Sequence, residues 1–273
     1  MRDADCIVFL QWALPRMGMR WRGFRKVRGQ VCKRLQRRMR ALGVAELSSY
    51  RANIEAHDSE WAVLDSLCRV TISRFYRDKH VFEVLGRQVL PALASSVQIQ
   101  GAKALRIWSG GCSSGEEPYS LAIIWRLMLA HRFPELALYI LATDVERAVL
   151  RRAEQACYSH SSLKDLPGDW VEAYFKRQDD LFCLQKEYRT CVTFREHDVR
   201  TPMREAPFNL ILCRNLAFTY FDQEMQRKVL QQIHAVMEEK GALVIGAHEH
   251  LPGGIELFEP WLPNEGIYRK QGR

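Results

Sequence analysis

The chain has 273 residues, of which 47% are apolar, and carries 40 Lys/Arg against 32 Asp/Glu for a net charge of +8. This composition provides for a full core and excludes a disordered, low-complexity or repeat protein, and no apolar run reaches bilayer-crossing length. The charge is local: residues 1–45 hold twelve Lys/Arg and two Asp, while the rest of the chain holds 28 basic and 30 acidic side chains.

The stretch "CIVFLQWAL" near the start has the look of a signal-peptide core. Asp3 and Asp5 stand where positive charge is expected and no small-x-small site follows, so it reads as a buried helix. In "QVCKRLQRRMRAL", Val31, Leu35, Met39 and Leu42 recur at helical spacing, and Lys33, Arg34, Arg37 and Arg38 fall largely on the other side. A basic helix of this kind suits an acidic partner, whether nucleic acid, an anionic membrane or an acidic protein; the plainer alternative is a solvated face. "SSYRANIEA", "SEWAVLDSLCRV" and "DKHVFEVLGRQVLPAL" read as further helices, the last ending near Pro91. The polar "SSVQIQGAK" reads as a connector. It divides a helical domain, residues 1–95, from a second domain, residues 96–273.

Beyond it the pattern changes to β-α-β-α-β-β-α-β. The strands are "ALRIW", "LALYILATD", "TCVTFREHD", "FNLILCRN" and "ALVIGAHE", and the last helix, "QEMQRKVLQQIHAVMEE", is capped by Gly241. The expected fold is α/β: a mostly parallel, Rossmann-like sheet with helices on its faces, preceded by a small all-α domain. Ligands of such sheets bind beyond the carboxyl ends of the strands. Eight cysteines without a C-x-x-C spacing predict reduced thiols and a cytoplasmic protein.

The first strand runs into "WSGGCSSGEEPYSLAIIW". Small residues there let a ligand approach the backbone, and the N–H groups at the helix start are free to donate. The stretch is neither a Walker loop nor a full G-x-G-x-x-G. Glu116 and Glu117 suit the helix dipole, repel a phosphate and attract a cation. S-adenosylmethionine, with its ammonium and sulfonium, fits that chemistry. Asp144 closes the second strand, where an acid accepts from both hydroxyls of an adenosine ribose; the alternative is a simple N-cap of the next helix.

With these residues in place the chain resembles the CheR-type chemotaxis receptor methyltransferases, S-adenosylmethionine-dependent protein-glutamate O-methyltransferases. The resemblance runs from about residue 20 to 270 and is strongest in "GCSSGEEPYSLA" and "FNLILCRN...YFD". It implies S-adenosylmethionine as cofactor and S-adenosylhomocysteine as product. The cofactor-binding residues it implies are Thr71, Ser73, Arg77, Gly111, Glu116 (with Glu117 able to exchange roles), Asp144, Asp198, Val199, Arg214 and Asn215. Arg77 and Tyr220 are the implied catalytic positions. Arg77 could instead pair with Asp78, Arg214 with a core acid, and Tyr220 could simply pack. Thr71 and Ser73 replace the Asn-x-Thr usual before the family's "FFRD", and "GAHEH" replaces its "GHSE".

Methyl transfer from a sulfonium to a glutamate carboxylate is an in-line displacement. With a reference pKa of about 4.3 the acceptor is already ionised at neutral pH, so neither a general base nor a metal is expected. The implied partner is an acidic protein, the helical cytoplasmic region of a chemoreceptor. The protein is expected to be a monomer without membrane insertion. The sequence shows neither an aromatic-interleaved basic stripe nor a base-binding Asn/Asp-Pro-Pro-Tyr, which argues against nucleic acid. A nucleic-acid methyltransferase and a cofactor-binding sensor or scaffold without transferase activity are the alternatives. Extra antiparallel strands are expected in "YFKRQDDLFCLQKEYRTCVTF". Cys112 reads as a small loop residue, and His248 and His250 as surface residues.

Overall fold

The computed structural model describes residues 2–254, 256–262 and 264–272. Contacts divide the chain into two units, one of Met1–Val70 with Thr219–Gln226, the other of Thr71–Phe218 with Arg227–Arg273. The division thus falls at Val70/Thr71 and not near residue 95. The reason is packing: Phe82, Leu85, Leu90 and Leu93 share one core with Ile107 and Ile140.

The first unit contains α1 (Asp3–Arg16), α2 (Trp21–Phe24), α3 (Arg28–Ala41), α4 (Leu47–Ala56) and α5 (Asp58–Cys68). Helix α3 buries Val31, Leu35 and Met39 of the predicted stripe, while Leu42 lies at its C-cap and is half-buried. Its basic face is only partly solvated. Arg38 donates from Nε and Nη2 to Glu60, whose Oε1 also accepts from Tyr50 Oη at 2.8 Å, and Arg34 donates to the carbonyls of Leu67 and Arg69. Lys33, Arg37 and Arg40 remain exposed.

The second unit opens with α6 (Lys79–Val84), a π turn at Leu85–Val89 and α7 (Leu90–Ile99). Pro91 therefore does not end the helix, and "SSVQI" is helical rather than a connector. Proline lies in the first turn of α7, where its missing N–H is tolerated, and the π turn closes an i→i−5 bond from Leu90 N to Leu85 O. The elements that follow are β1 (Ala104–Gly110), α8 (Glu116–Ile124), a second π turn at Trp125–Leu129, β2 (Ala137–Asp144), α9 (Arg147–Gln155), β3 (Cys157–Ser159), α10 (His160–Leu163), α11 (Gly168–Tyr174), β4 (Phe175–Gln178) and β5 (Leu181–Leu184). The last are β6 (Val192–Glu196), β7 (Phe208–Leu212), α12 (Ala217–Tyr220), α13 (Gln223–Ala235), β8 (Met237–Val244), β9 (Phe258–Leu262) and β10 (Ile267–Lys270).

Seven strands form one sheet in the order β6-β2-β1-β7-β8-β10-β9. The first five are parallel, and β10 and β9 extend the sheet antiparallel. Ile107 of β1 pairs with Ile140 on one side and Leu210 on the other, all fully buried, as expected of strands covered on both faces. The chain crosses from one side of β1 to the other, which creates the switch-point crevice at the strands' carboxyl ends. The expected extra strands are present: β4 and β5 fall in "YFKRQDDLFCLQKEYRTCVTF" and, with β3, which precedes that stretch and lies outside the expectation, make a small antiparallel sheet.

Two further expectations are corrected. Gly241 does not cap α13, which ends at Ala235. It lies within β8 behind Lys240 at φ 61°, and a Cβ there would meet Met237 Cγ at 2.6 Å. Four cysteines are oxidised rather than reduced: Cys6–Cys32 ties α1 to α3, and Cys157–Cys183 joins directly opposed residues of β3 and β5. Both partners lie 26 residues apart in sequence, so contact comes from the fold and leaves no short spacing to read.

Candidate active site

The site begins where β1 ends. Gly111, Ser113 and Gly115 take φ values of 76°, 51° and 88°, a left-handed path that glycine follows without a Cβ penalty. The path is also crowded: a Cβ on Gly111 would lie 2.4 Å from Leu216 Cδ2, and one on Gly115 would lie 2.9 Å from Ala153 Cβ. The turn is sewn to the end of β2. The N–H groups of Gly111 and Cys112 both donate to Thr143 O, at 2.8 and 2.9 Å, and Trp108 Nε1 donates to Thr143 Oγ1. Cys112 is 1% exposed, and burial pushes its thiol far above its ordinary value, so it is a neutral packing residue.

Asp144 stands at the carboxyl end of β2. Its Oδ2 accepts from Ser113 N and its Oδ1 from Glu146 N, each at 2.9 Å. It does not cap α9, whose N-cap is Glu146. Burial raises its pKa, and the Glu146 and Ser113 N–H groups pull it back in part.

The two glutamates at the start of α8 occupy different surroundings. Glu116 is 2% exposed, and its Oε2 has no hydrogen-bond partner. Burial raises its pKa against its own backbone N–H and the Ser73 hydroxyl. Glu117 bridges two strand ends, accepting from Ser109 Oγ at 2.8 Å and from Arg214 Nη1 at 3.1 Å. The sequence passed over this bridge, because helical spacing alone does not say which of two adjacent acids turns toward the sheet.

Arg77 rides on a turn of unusual backbone. Tyr76 and Asp78 on either side of it adopt φ values of 58° and 60°, a conformation that non-glycine residues rarely hold and that concentrates at functional sites. Buried Arg214 clamps this turn, donating from Nη2 to Arg77 O at 2.9 Å and to Asp78 Oδ2 at 2.8 Å. The guanidinium of Arg77 donates from Nη1 to Ile72 O and from Nη2 to Asn215 Oδ1, at 3.2 and 3.1 Å. The acid beside it therefore pairs with Arg214, not with Arg77. Thr71 and Ser73 lie half-buried on the irregular segment that leads into the turn.

Of the other expected residues, Asp198, Val199, Arg214 and Asn215 follow strand ends of the large sheet, whereas Tyr220 does not. Asp198 and Val199 follow β6. Asp198 accepts from the backbone and side chain of Arg200, and Val199 packs so close to Gly110 that a Cβ there would lie 3.2 Å from it. Arg214 and Asn215 follow β7, with Asn215 at φ 55°. Asn215 N donates to Glu249 Oε2 at 2.8 Å, a 6%-exposed carboxylate that the sequence did not single out. The signal was present in "GAHEH", but only its histidines, both exposed, were weighed. Tyr220 belongs to the first unit, where its carbonyl accepts from Arg20 N at 2.8 Å and its ring lies 5.0 Å from Phe24.

A parallel sheet with a glycine-rich first turn, an acid closing the second strand and a buried carboxylate with one oxygen lacking a partner has the donor and acceptor set of an S-adenosylmethionine-dependent methyltransferase. The CheR methyltransferase SAM-binding domain matches residues 71–262, and the chain belongs to that family. It is 36% identical over 186 residues to a chemotaxis protein methyltransferase of Listeria innocua, covering 68% of each chain. It is 29% identical over 231 residues to the chemotaxis protein methyltransferase of Escherichia coli K12, covering 82% of this chain and 77% of that one. Among the described residues, no helix is long and apolar enough to cross a membrane.

Proposed function

We propose that this enzyme methylates glutamate side chains on the acidic, helical cytoplasmic region of a chemoreceptor, and that it works in the cytoplasm as a monomer. The observation that carries the acceptor chemistry is the presentation of Arg77. Its backbone is clamped by Arg214 and its guanidinium is oriented by Asn215 and Ile72 O. A planar fork held in this way suits the two oxygens of an incoming carboxylate.

S-adenosylmethionine supplies the electrophilic methyl and leaves as the neutral thioether S-adenosylhomocysteine. The residues present fit it. The Glu116–Glu117 pair receives the ammonium, with the unpartnered Glu116 Oε2 as one acceptor. Asp144 receives the ribose hydroxyls, the Gly111 turn supplies close backbone, and Asp198 and Val199 border the adenine. Thr71, Ser73 and Asn215 line the remaining wall. Arg77 aligns the acceptor carboxylate. Alignment of this kind is worth roughly 7–11 kcal/mol of barrier.

Exposed Lys33, Arg37 and Arg40 on α3 steer an acidic partner. The decisive experiment is transfer of labelled methyl from S-adenosylmethionine to receptor fragments. Base-labile label on glutamate is the expected result. Cofactor binding with no label on any receptor fragment rules the acceptor assignment out.

A further inference from the structure

Glu249 lies in the turn after β8, on a strand end next to the one that carries Arg214 and Asn215. Its Oε2 accepts two backbone N–H groups, from Asn215 at 2.8 Å and from Gly246 at 2.6 Å. The fit is close: a Cβ on Gly246 would lie 2.8 Å from that oxygen and 3.1 Å from Asn215 Oδ1. Asn215 holds φ 55°, and its Oδ1 accepts from Arg77 Nη2 at 3.1 Å. One carboxylate oxygen therefore fixes a left-handed backbone whose side chain orients the guanidinium.

We infer that Glu249 is a positioning residue for methyl transfer, acting through Asn215 to set the direction in which Arg77 meets the acceptor carboxylate. Glu249 touches neither reactant in this scheme. It supplies a hydrogen-bond acceptor at a fixed reach, and its charge is secondary. The inference rests on the proposed role of Arg77.

That distinction makes it testable with variants that preserve the fold. Glu249→Gln keeps an acceptor oxygen at the same reach, whereas Glu249→Asp keeps the charge and draws the oxygen back by one methylene. Transfer to a receptor fragment is measured alongside S-adenosylhomocysteine affinity and melting temperature. Glu249→Gln is expected to retain most of kcat. Glu249→Asp is expected to lose about ten- to a hundred-fold in kcat with cofactor affinity nearly unchanged, the scale of a misplaced catalytic group. In an Arg77→Ala background, Glu249→Asp should cost less than about two-fold more, because coupled residues do not add. Equal losses from Glu249→Asp in both backgrounds mark a merely structural role and overturn the inference, as does a Glu249→Gln enzyme as slow as Glu249→Asp. A wild-type enzyme that binds cofactor yet labels no receptor overturns the acceptor reading itself, and this inference falls with it.

Discussion

Asp144 accepts the Ser113 N–H at 2.9 Å, so the carboxylate proposed for the ribose also anchors the Gly111–Gly115 turn. Asp144→Ala removes both functions and is expected to weaken S-adenosylhomocysteine binding by at least about tenfold, the loss of a charge-assisted hydrogen bond. Asp144→Asn keeps one acceptor oxygen and should fall between the two. Titration calorimetry on the three proteins checks the order, and an Asp144→Ala protein with unchanged affinity removes the residue from the site.

Burial raises the pKa of both Asp144 and Glu116. A carboxyl raised on folding binds more protons in the folded than in the unfolded state between the two values. Stability of the free enzyme from these groups is therefore greatest below the ordinary carboxylate range and declines as pH rises through the raised values. Cofactor binding has the opposite slope, because the ammonium needs ionised acids. Glu116→Gln should flatten the first dependence, and at neutral pH the free variant should melt no lower than the wild type. Melting curves from pH 4 to 7, with and without S-adenosylhomocysteine, measure both slopes. A Glu116→Gln variant with the wild-type profile shows that Glu116 is not the titrating group.

Arg214 holds the Arg77 turn to the sheet through Asp78 and Glu117, with its own side chain 3% exposed. Arg214→Met keeps much of the volume and takes the guanidinium from Asp78 and Glu117, the latter keeping only Ser109 Oγ. A broken buried ion pair costs about 3–5 kcal/mol, and the lower end applies here because Asp78 is one-third exposed. Urea denaturation should show the loss, and transfer activity should fall further than stability accounts for. Arg214→Lys should restore charge but not the shared grip on Arg77 O, Asp78 and Glu117.

The parts of this site that follow simple periodicity are legible in the sequence. The apolar runs at β1 and β2, the small residues between Ser109 and Gly115, and the acid ending β2 each carry a local cause that one pass along the chain reveals. What escapes depends on distant partners. Pro91 reads as a stop unless the π turn before it is known. Glu249 and Asn215 meet only after β8 has been laid beside β7. The left-handed residues Tyr76 and Asp78 have no glycine to announce them. The small sheet is legible as a region, whereas its disulfide is not, because Cys157 and Cys183 become neighbours only through strand pairing.

Gly86 shows how tightly the two π turns are packed. A Cβ there would lie 2.9 Å from Met128 Sδ and 3.0 Å from Ile124 Cγ2. Met128 is flexible enough to yield in part, but Ile124 is fully buried. Gly86→Ala should therefore destabilise by about 1–3 kcal/mol, the range of an overpacked core, despite the better helix propensity of alanine. Gly29, with nothing within 4 Å of its Cβ position, serves as the contrast on α3. Gly29→Ala is expected to leave stability unchanged or raise it.

Each disulfide closes a loop between residues 26 apart, which in the chain-entropy account contributes about 3.5 kcal/mol by restricting the unfolded state. The two should be separable, since one lies in each unit. Cys6→Ser with Cys32→Ser should lower the stability of the helical unit. Cys157→Ser with Cys183→Ser should loosen the small sheet while S-adenosylhomocysteine affinity, which depends on the large sheet's strand ends, stays within about threefold of wild type. Alkylation and mass measurement under denaturing conditions, before and after a dithiol reductant, count the bridges directly. Fewer than four additional alkylated cysteines after reduction would show that at least one bridge does not form in the isolated protein.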